Sequence, residues 1–367
     1  MTGGPRRSRP ADQDLPAGTL RQTRPDRLLY VPNEITVGDQ VGPRACFEEL
    51  LNHGRLSGYQ AVSVLPLVRE HGTRQAWEGV LAAAAELRPT LVLLQHLAGS
   101  GLRPEHFRSL RALVPEAVVA YHEADAYGTV RKPMPAEPRA AGRSADVTFV
   151  SGTGALVRNF RRVGACRVEY SAQAYDPVRF GHRWPEPPGR TGGVVMIAND
   201  TTGHRRFRGL PGARDRARLV ELAARAFGDD FVLHGRGWRV PQAAGPLRYD
   251  DQETAYQRGR VAINWDHFPR EPGYYSDRLP TCMASATPQV TTWHPLLDRQ
   301  IPAGNGVFFA RRVEEVLDLA AGLLRRPQPE LDELGARARR FAAAHLAQDR
   351  QYAAMLDRMA ALRSAPP

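Results

Sequence analysis

The sequence predicts an α/β protein built as two domains in tandem, each a parallel sheet with helices on both faces. Three observations predict it. The chain has 367 residues, of which 42% are hydrophobic, a length that exceeds one compact core and suits two domains of ordinary size. Short apolar runs rich in β-branched residues alternate with stretches of helical period, the signature of crossover helices that bury both sides of a sheet. The alternation stops at DPVRFGHRWPEPPGRTGG, from Asp176, and then resumes. Proline and glycine crowd that segment, as suits an exposed connection.

The expected organisation is a basic tail over 1–26, a first domain over 27–178, a linker over 179–192, a second domain over 193–345 and a C-terminal helix over 346–367 that packs back on the first domain. RLLYVP (27–32) reads as a strand, TVGDQVGP as a glycine-containing loop and RACFEELLNHG as a helix. YQAVSVLPL, TLVLLQH, AVVAYHEAD and DVTFVSG read as buried strands, helices over 74–87 and 105–113 lie among them, and CRVEYSAQA closes the first series. The second series runs GGVVMIAND, a helix over 213–227, FVLHGRGW, a helix near 252–260, VAINWDHF, the segment GYYSDRLPTCMASATP (273–288), QVTTWH and GVFFA, with three helices to the C-terminus.

A formal net charge of +11 raises the question of a nucleic-acid partner. Lys132 is the only lysine, however, and arginine, alanine, glycine and proline are abundant, which is the mark of GC-rich codon usage. In ARDRARLVELAARAF the arginines alternate with acids, which reads as a solvated face. Only the tail concentrates unpaired charge, at Arg6, Arg7, Arg9, Arg21, Arg24 and Arg27, and it reads as a solubilising arm. The N-terminus lacks an apolar signal region and no apolar run is long enough to cross a bilayer, so the expectation is a cytoplasmic protein with no membrane span. Cys46, Cys166 and Cys282 stand far apart, without the spacing of a zinc site or a disulfide framework.

The segment from Gly273 to Pro288 carries the first chemical signal. A glycine and two aromatic residues precede a Ser-Asp-Arg helix start, and small residues and a proline end the helix. Backbone N–H groups at such a helix start face an anion, and an arginine adds a charge-assisted partner for phosphate oxygens. The same pattern also serves ordinary helix capping.

In order, HGRGW, GPLRYDD, AYQRGRVAINW, GYYSDRLPTCMASATPQVTTW and GVFFARRVEEVLDLAAGLL resemble the second domain of GT-B-fold glycosyltransferases, with the spore-maturation CgeB-like group the nearest in pattern. ADVTFVSGTGALVRNFRRVG and AYDPVRF resemble the end of the first domain of these enzymes. The resemblance implies a GT-B architecture, two Rossmann-like domains with the active-site cleft between them, and transfer of a sugar from a nucleotide diphosphate.

The residues themselves suggest how that chemistry would be served. A diphosphate leaving group needs preorganised donors and positive charge. Tyr275, Ser276, Asp277 and Arg278 are expected on one side of it, and Arg205, Arg206 and Arg208 of NDTTGHRRFRG on the other. The only Asp-x-Asp pair, Asp12 and Asp14, lies in the tail, so no metal or other cofactor is expected. Gly235 and Gly237 allow the backbone to approach a nucleobase, Arg248 borders it, and Trp238 reads as core. YHEADAY ends a buried strand, which makes His122 and Asp125 catalytic candidates and Glu123 an acceptor contact. The loop GDQVG adds Gly38 and Gly42 on the acceptor side and Asp39 as a second base, although it also reads as a plain turn.

The sequence departs from the family-4 pattern of a Glu-x7-Glu pair. The motif alignment puts Gly273 and Thr281 at the two positions, with Glu271 and Asp277 as nearby carboxylates, and the stereochemical outcome stays open. The expected partners are a nucleotide-sugar donor, taken as a UDP-sugar, and a small acceptor with a free hydroxyl, such as a nucleoside or antibiotic-type secondary metabolite. A homodimer is compatible with this reading. A glycan acceptor and a non-catalytic nucleic-acid-binding protein are the competing readings.

Overall fold

The computed structural model describes residues 25–127, 132–182, 190–203 and 210–364. Residues 1–24 of the tail, with Asp12 and Asp14, most of the linker and the arginines Arg205, Arg206 and Arg208 lie outside the described residues.

The first sheet contains β1 (Asp26–Val31), β2 (Leu56–Ala61), β3 (Leu91–Gln95), β4 (Val118–Glu123), β5 (Val147–Val150) and β6 (Val168–Tyr170). All pair in parallel, in the order β2-β1-β3-β4-β5-β6. The second contains β7 (Gly192–Ile197), β8 (Phe231–His234), β9 (Ala243–Gly245), β10 (Gly259–Ile263), β11 (Gln289–Thr292) and β12 (Val307–Ala310), again parallel, in the order β12-β11-β10-β7-β8-β9. These are two Rossmann-like α/β domains. Strand order reverses between β1 and β3 in one sheet and between β7 and β10 in the other. Each reversal opens a crevice at the carboxyl ends of the strands, where ligands of open α/β sheets bind.

Each sheet is buried on both faces, which explains the near-continuous apolar strands. In the first domain, Leu29, Val92, Val119 and Tyr121 pack with the helices Val64–Leu87, Pro104–Leu113 and Ala136–Ser144. On the other face, Leu28, Tyr30 and Leu93 pack against the helix Val41–Asn52 and the last helix, Gln348–Ser364, through Phe47, Tyr352, Met355 and Met359. The chain thus returns from the second domain to complete the core of the first.

Two local readings are corrected. YQAVSVLPL is not one strand, because β2 ends at Ala61 and a helix starts at Val64; Pro66, in its first turn, sits where a missing N–H costs nothing. The second sheet also gains β9, a three-residue strand joined to β8 without a helix.

Polar contacts bind the domains together. The Glu271 carboxylate, from the second domain, accepts the N–H groups of Gly154, Ala155 and Leu156 at 2.9, 2.9 and 3.1 Å, capping the helix Ala155–Arg162 of the first. Tyr170 donates to the Gly273 carbonyl at 2.8 Å and accepts from Gln300 Nε2 at 2.8 Å.

Candidate functional site

The crevice between β7 and β10 is lined by loops whose polar groups interlock. Past β10 the chain runs Asn264, Trp265, Asp266, His267, Phe268. The Asp266 side chain is buried and accepts from Ser276 Oγ (2.9 Å), Asn264 Nδ2 (3.1 Å) and His294 Nε2 (3.0 Å). Burial alone would raise its pKa. His294, Arg216 and Asn264 outweigh that and hold it well below the ordinary value of 3.8.

Arg216 is the unexpected member of this site. It lies on the helix Ala213–Phe227 and shares that helix's buried stripe with Leu219, Val220 and Ala223. Its Nε donates to the Trp265 carbonyl at 2.7 Å and its Nη1 to His267 Nε2 at 2.6 Å. Burial, with Arg278 nearby, lowers its pKa to about 9. His267 Nε2 also lies 2.8 Å from Thr201 Oγ1, which joins the loop after β7 to the loop after β10 across the crevice. Burial and the two arginines push the His267 pKa to about 2. A neutral imidazole accepting a hydrogen bond from a buried guanidinium is therefore built into the site.

Arg278 opens the short helix Arg278–Ala284, and its Nε is buried with no partner among the described residues. Burial lowers its pKa, but Asp277 and other groups reverse the sign, so its charge is retained. A guanidinium with one buried, unused donor has unmet hydrogen-bonding demand. Asp277 is half exposed, 3.9 Å from Arg278 Nη1. Ser276 reaches Asp266. Tyr275 does not face the crevice: it is 1% exposed and packs among Leu279, Met283, Leu297 and Ile301. Gly273 has φ +71°, and the Thr281 hydroxyl is buried without a partner among the described residues, so neither family-4 carboxylate position carries a compensating acid.

Gly235 and Gly237 have φ of +146° and +89°. A Cβ on Gly235 would lie 1.8 Å from the Ala198 carbonyl oxygen, so glycine there is required by the approach of the β8 and β7 ends. Trp238 Nε1 donates to the Ala198 oxygen at 2.6 Å while the ring packs against the core. Arg248 is exposed on the loop before a 3-10 turn. A cavity of about 660 Å³ lies nearby, lined by Val195, His234, Ala244, Leu247 and Arg258, but it extends to Gly192 and Gly259 at the amino ends of β7 and β10, away from the crevice.

At the first crevice, strand alternation separates residues that the sequence reading placed side by side. Tyr121 and Glu123 share one face of β4, where the Tyr121 hydroxyl donates to Glu123 at 2.5 Å. His122 points to the other face, 4% exposed and edge-on to Tyr352, and burial lowers its pKa to about 4. Asp125 remains half exposed in an ion pair with Lys132 at 2.7 Å. Glu123 is fully buried and lies 2.7 Å from Nδ1 of His96, a residue the sequence reading left at the end of a strand.

The loop after β1 is organised by Glu34, another residue missed in the sequence. Its buried carboxylate accepts from Gly38 N and Gln40 N at 3.1 Å each, and from Arg44 at 2.7 and 2.9 Å. Asp39 accepts the Thr36 N–H at 2.9 Å, closing a turn. Gly42 is buried in the first helical turn, where its N–H donates to Asp176 at 3.2 Å; a Cβ there would lie 2.5 Å from Gln348 Oε1. The helix start is thus filled by the chain's own carboxylate.

Two of three comparisons with known proteins find likenesses. Residues 214–357 match the glycosyl-transferase-like family. No curated protein sequence matches the chain. Among solved structures, a glycosyltransferase from Rickettsia africae has TM-score 0.60 at 11% identity, covering 94% of this chain and 100% of that one. A structure described as trehalose-6-phosphate from E. coli bound with UDP-2-fluoro glucose has TM-score 0.61 at 8% identity, covering 93% and 100%. Anabaena HepE in complex with UDP and glucose has TM-score 0.53 at 11% identity, covering 90% and 99%. At these identities the likeness establishes the fold: the chain has the GT-B architecture.

Proposed function

We propose that this chain is a glycosyltransferase that moves a sugar from a nucleotide diphosphate, a UDP-sugar, to the hydroxyl of an acceptor. The observation that carries the reading is the pair of arginines, buried Arg216 and partly exposed Arg278, beside neutral His267 at the β7/β10 crevice, with Arg278 Nε lacking a partner among the described residues. A departing diphosphate gains negative charge, and buried, preorganised cations oppose that charge more strongly than exposed ones. Arginine rather than a metal is assigned this role. The match of residues 214–357 supports transferase chemistry, and UDP-containing structures among the GT-B neighbours support uridine as the base.

Arg205, Arg206 and Arg208 belong to the same reading, because they follow in sequence from Gly203, beyond the β7 end that borders this crevice. The acceptor belongs at the first crevice, beside His96, Asp125 and the Glu34 loop. Its identity as a small secondary metabolite, membership of the CgeB-like group and a cytoplasmic location rest on sequence character. No helix among the described residues is long and apolar enough to cross a membrane.

A thermal-shift panel of UDP, GDP, dTDP and ADP tests the proposal. A ligand that binds only the folded state at 100 times its Kd stabilises it by about 2.7 kcal/mol. UDP is expected to raise the midpoint most, and no shift with any nucleotide would overturn the reading.

A further inference from the structure

Exposed arginines meet acids on several helices of this chain. Arg337 and Arg340 reach Glu333 at 3.0 and 3.2 Å, Arg358 reaches Glu169 at 2.7 Å, and Arg218 pairs with Glu314. The helices Ala136–Ser144 and Ala155–Arg162 of the first domain differ. Their inner faces, with Ala140, Ala141, Leu156 and Phe160, are buried in the core. Their outer faces carry Arg139, Arg143, Arg158, Arg161 and Arg162, all exposed and none with a carboxylate partner among the described residues. The rows adjoin: a Cβ on Gly142 would lie 2.9 Å from the Phe160 ring, and Arg143 Nε donates to the Val163 carbonyl at the end of the second helix.

No acid occurs in the sequence from Val147 to Val168. Glu137, on the first of the two helices, accepts the Gly101 N–H at 3.2 Å, and Asp146 beyond it holds Arg111 and the Val119 N–H. Like charges three and four residues apart destabilise a helix. Part of that cost is offset locally, because Arg161 and Arg162 stand in the last turn, where the helix dipole favours cations. Arg158 stands mid-helix without that support, and Arg139 lies near the start of its helix, where the dipole opposes it. GC-rich codon usage accounts for arginine in place of lysine. It does not account for the missing acids.

The face therefore suits an extended anion, and three features decide which kind. The start of Ala155–Arg162 is closed by Glu271 across the domain contact, so this helix cannot enter a nucleic-acid groove end-on. Phe160 is buried, so it offers no ring for a base to stack on. Val157 and Val163 are partly exposed among the arginines, adding apolar surface that a bilayer interface accepts. We infer that the outer face of these two helices docks on a bilayer containing anionic phospholipid, the guanidinium groups meeting lipid phosphates. The inference stands apart from the donor reading. Because Ala136–Ser144 follows the Asp125–Lys132 ion pair beyond β4, docking keeps the first crevice beside the membrane.

Sedimentation of the full chain with phosphatidylcholine vesicles, with and without phosphatidylglycerol, tests it. Binding is expected only with phosphatidylglycerol and is expected to weaken as added sodium chloride shortens the Debye length. Arg158→Gln with Arg161→Gln should lower vesicle partition about 30-fold, at about 5-fold for each arginine. Arg158→Lys with Arg161→Lys keeps the charge and should keep the binding. Arg337→Gln with Arg340→Gln removes as much charge from a face where Glu333 already answers it, and should bind like the wild type. Equal binding to both kinds of vesicle, or no binding to either, overturns the inference. Unchanged partition of the Arg158 and Arg161 glutamine variant overturns it too, by placing lipid binding elsewhere, and loss of binding in the lysine variant overturns the role of charge. Duplex DNA bound more tightly than the vesicles, and released by the same glutamine substitutions, would assign the face to nucleic acid instead.

Discussion

Both crevices contain a histidine held by a buried carboxylate, yet the two pairs are built for different ends. In the first domain Glu123 meets His96 Nδ1 at 2.7 Å, and the ring keeps 20% of its side chain exposed. In the second, Asp266 meets His294 Nε2 at 3.0 Å, and both side chains are buried, at 1% and 0% exposure. One pair keeps part of its imidazole ring open to solvent. The other is a strut that fixes Ser276 and the loop after β10, next to the arginines. Exposure, rather than the presence of a His-carboxylate pair, separates a group that can exchange protons with a ligand from one that shapes the site.

Replacing each histidine in turn gives the sharpest contrast. His96→Asn should lose at least about 100-fold in turnover, with a smaller shift of the urea midpoint than His294→Ala because its ring is partly exposed. His294→Ala should do the reverse, losing about 3 kcal/mol of stability as a buried partner is stripped from Asp266, with turnover per folded molecule far less affected. Equal effects of both variants on both readouts would erase the distinction.

His122 provides a further control, because it lies between the two types. Its folded pKa, about 4, is below the ordinary 6.5. The unfolded chain therefore takes up the proton first as pH falls, so stability is full above pH 6.5 and declines toward pH 4. His122→Leu should remove roughly 3 kcal/mol of that decline, seen as a flatter urea midpoint between those pH values, with turnover near neutral pH retained. A large loss of turnover would restore His122 to the catalytic set.

The smallest expected effect is at the domain contact. Glu271→Ala removes the cap from the helix Ala155–Arg162 and should cost about 1–2 kcal/mol, read as a lower thermal midpoint. No change would show that water replaces the carboxylate there.

The sheets were legible because strands buried on both faces leave short apolar runs between stretches of helical period. The site was legible only in part. Arg216 sits in a helix whose charges alternate in sign, and only its spacing from Leu219, Val220 and Ala223 marks it as inward-facing. Applying to NWDHF the strand-end logic used for YHEADAY would have found Asp266 and His267. Which of His122 and Glu123 faces the ligand depends on the phase of β4, and adjacent apolar residues on both faces hide that phase. Glu34 and Glu271 act through N–H groups of loops and helix starts, contacts that no side-chain pattern records.

A nucleotide diphosphate bound at the second crevice against Arg278 is the claim on which the rest depends. Titration calorimetry with UDP on the wild-type chain and on Arg278→Ala tests it most directly. Because Arg278 Nε has no partner among the described residues, its loss should leave the urea midpoint nearly unchanged. One-site binding in the wild type, weakened about 10- to 100-fold in Arg278→Ala as lost charge-assisted hydrogen bonds require, is the predicted result. Equal affinity in both chains, or no binding in either, would contradict it.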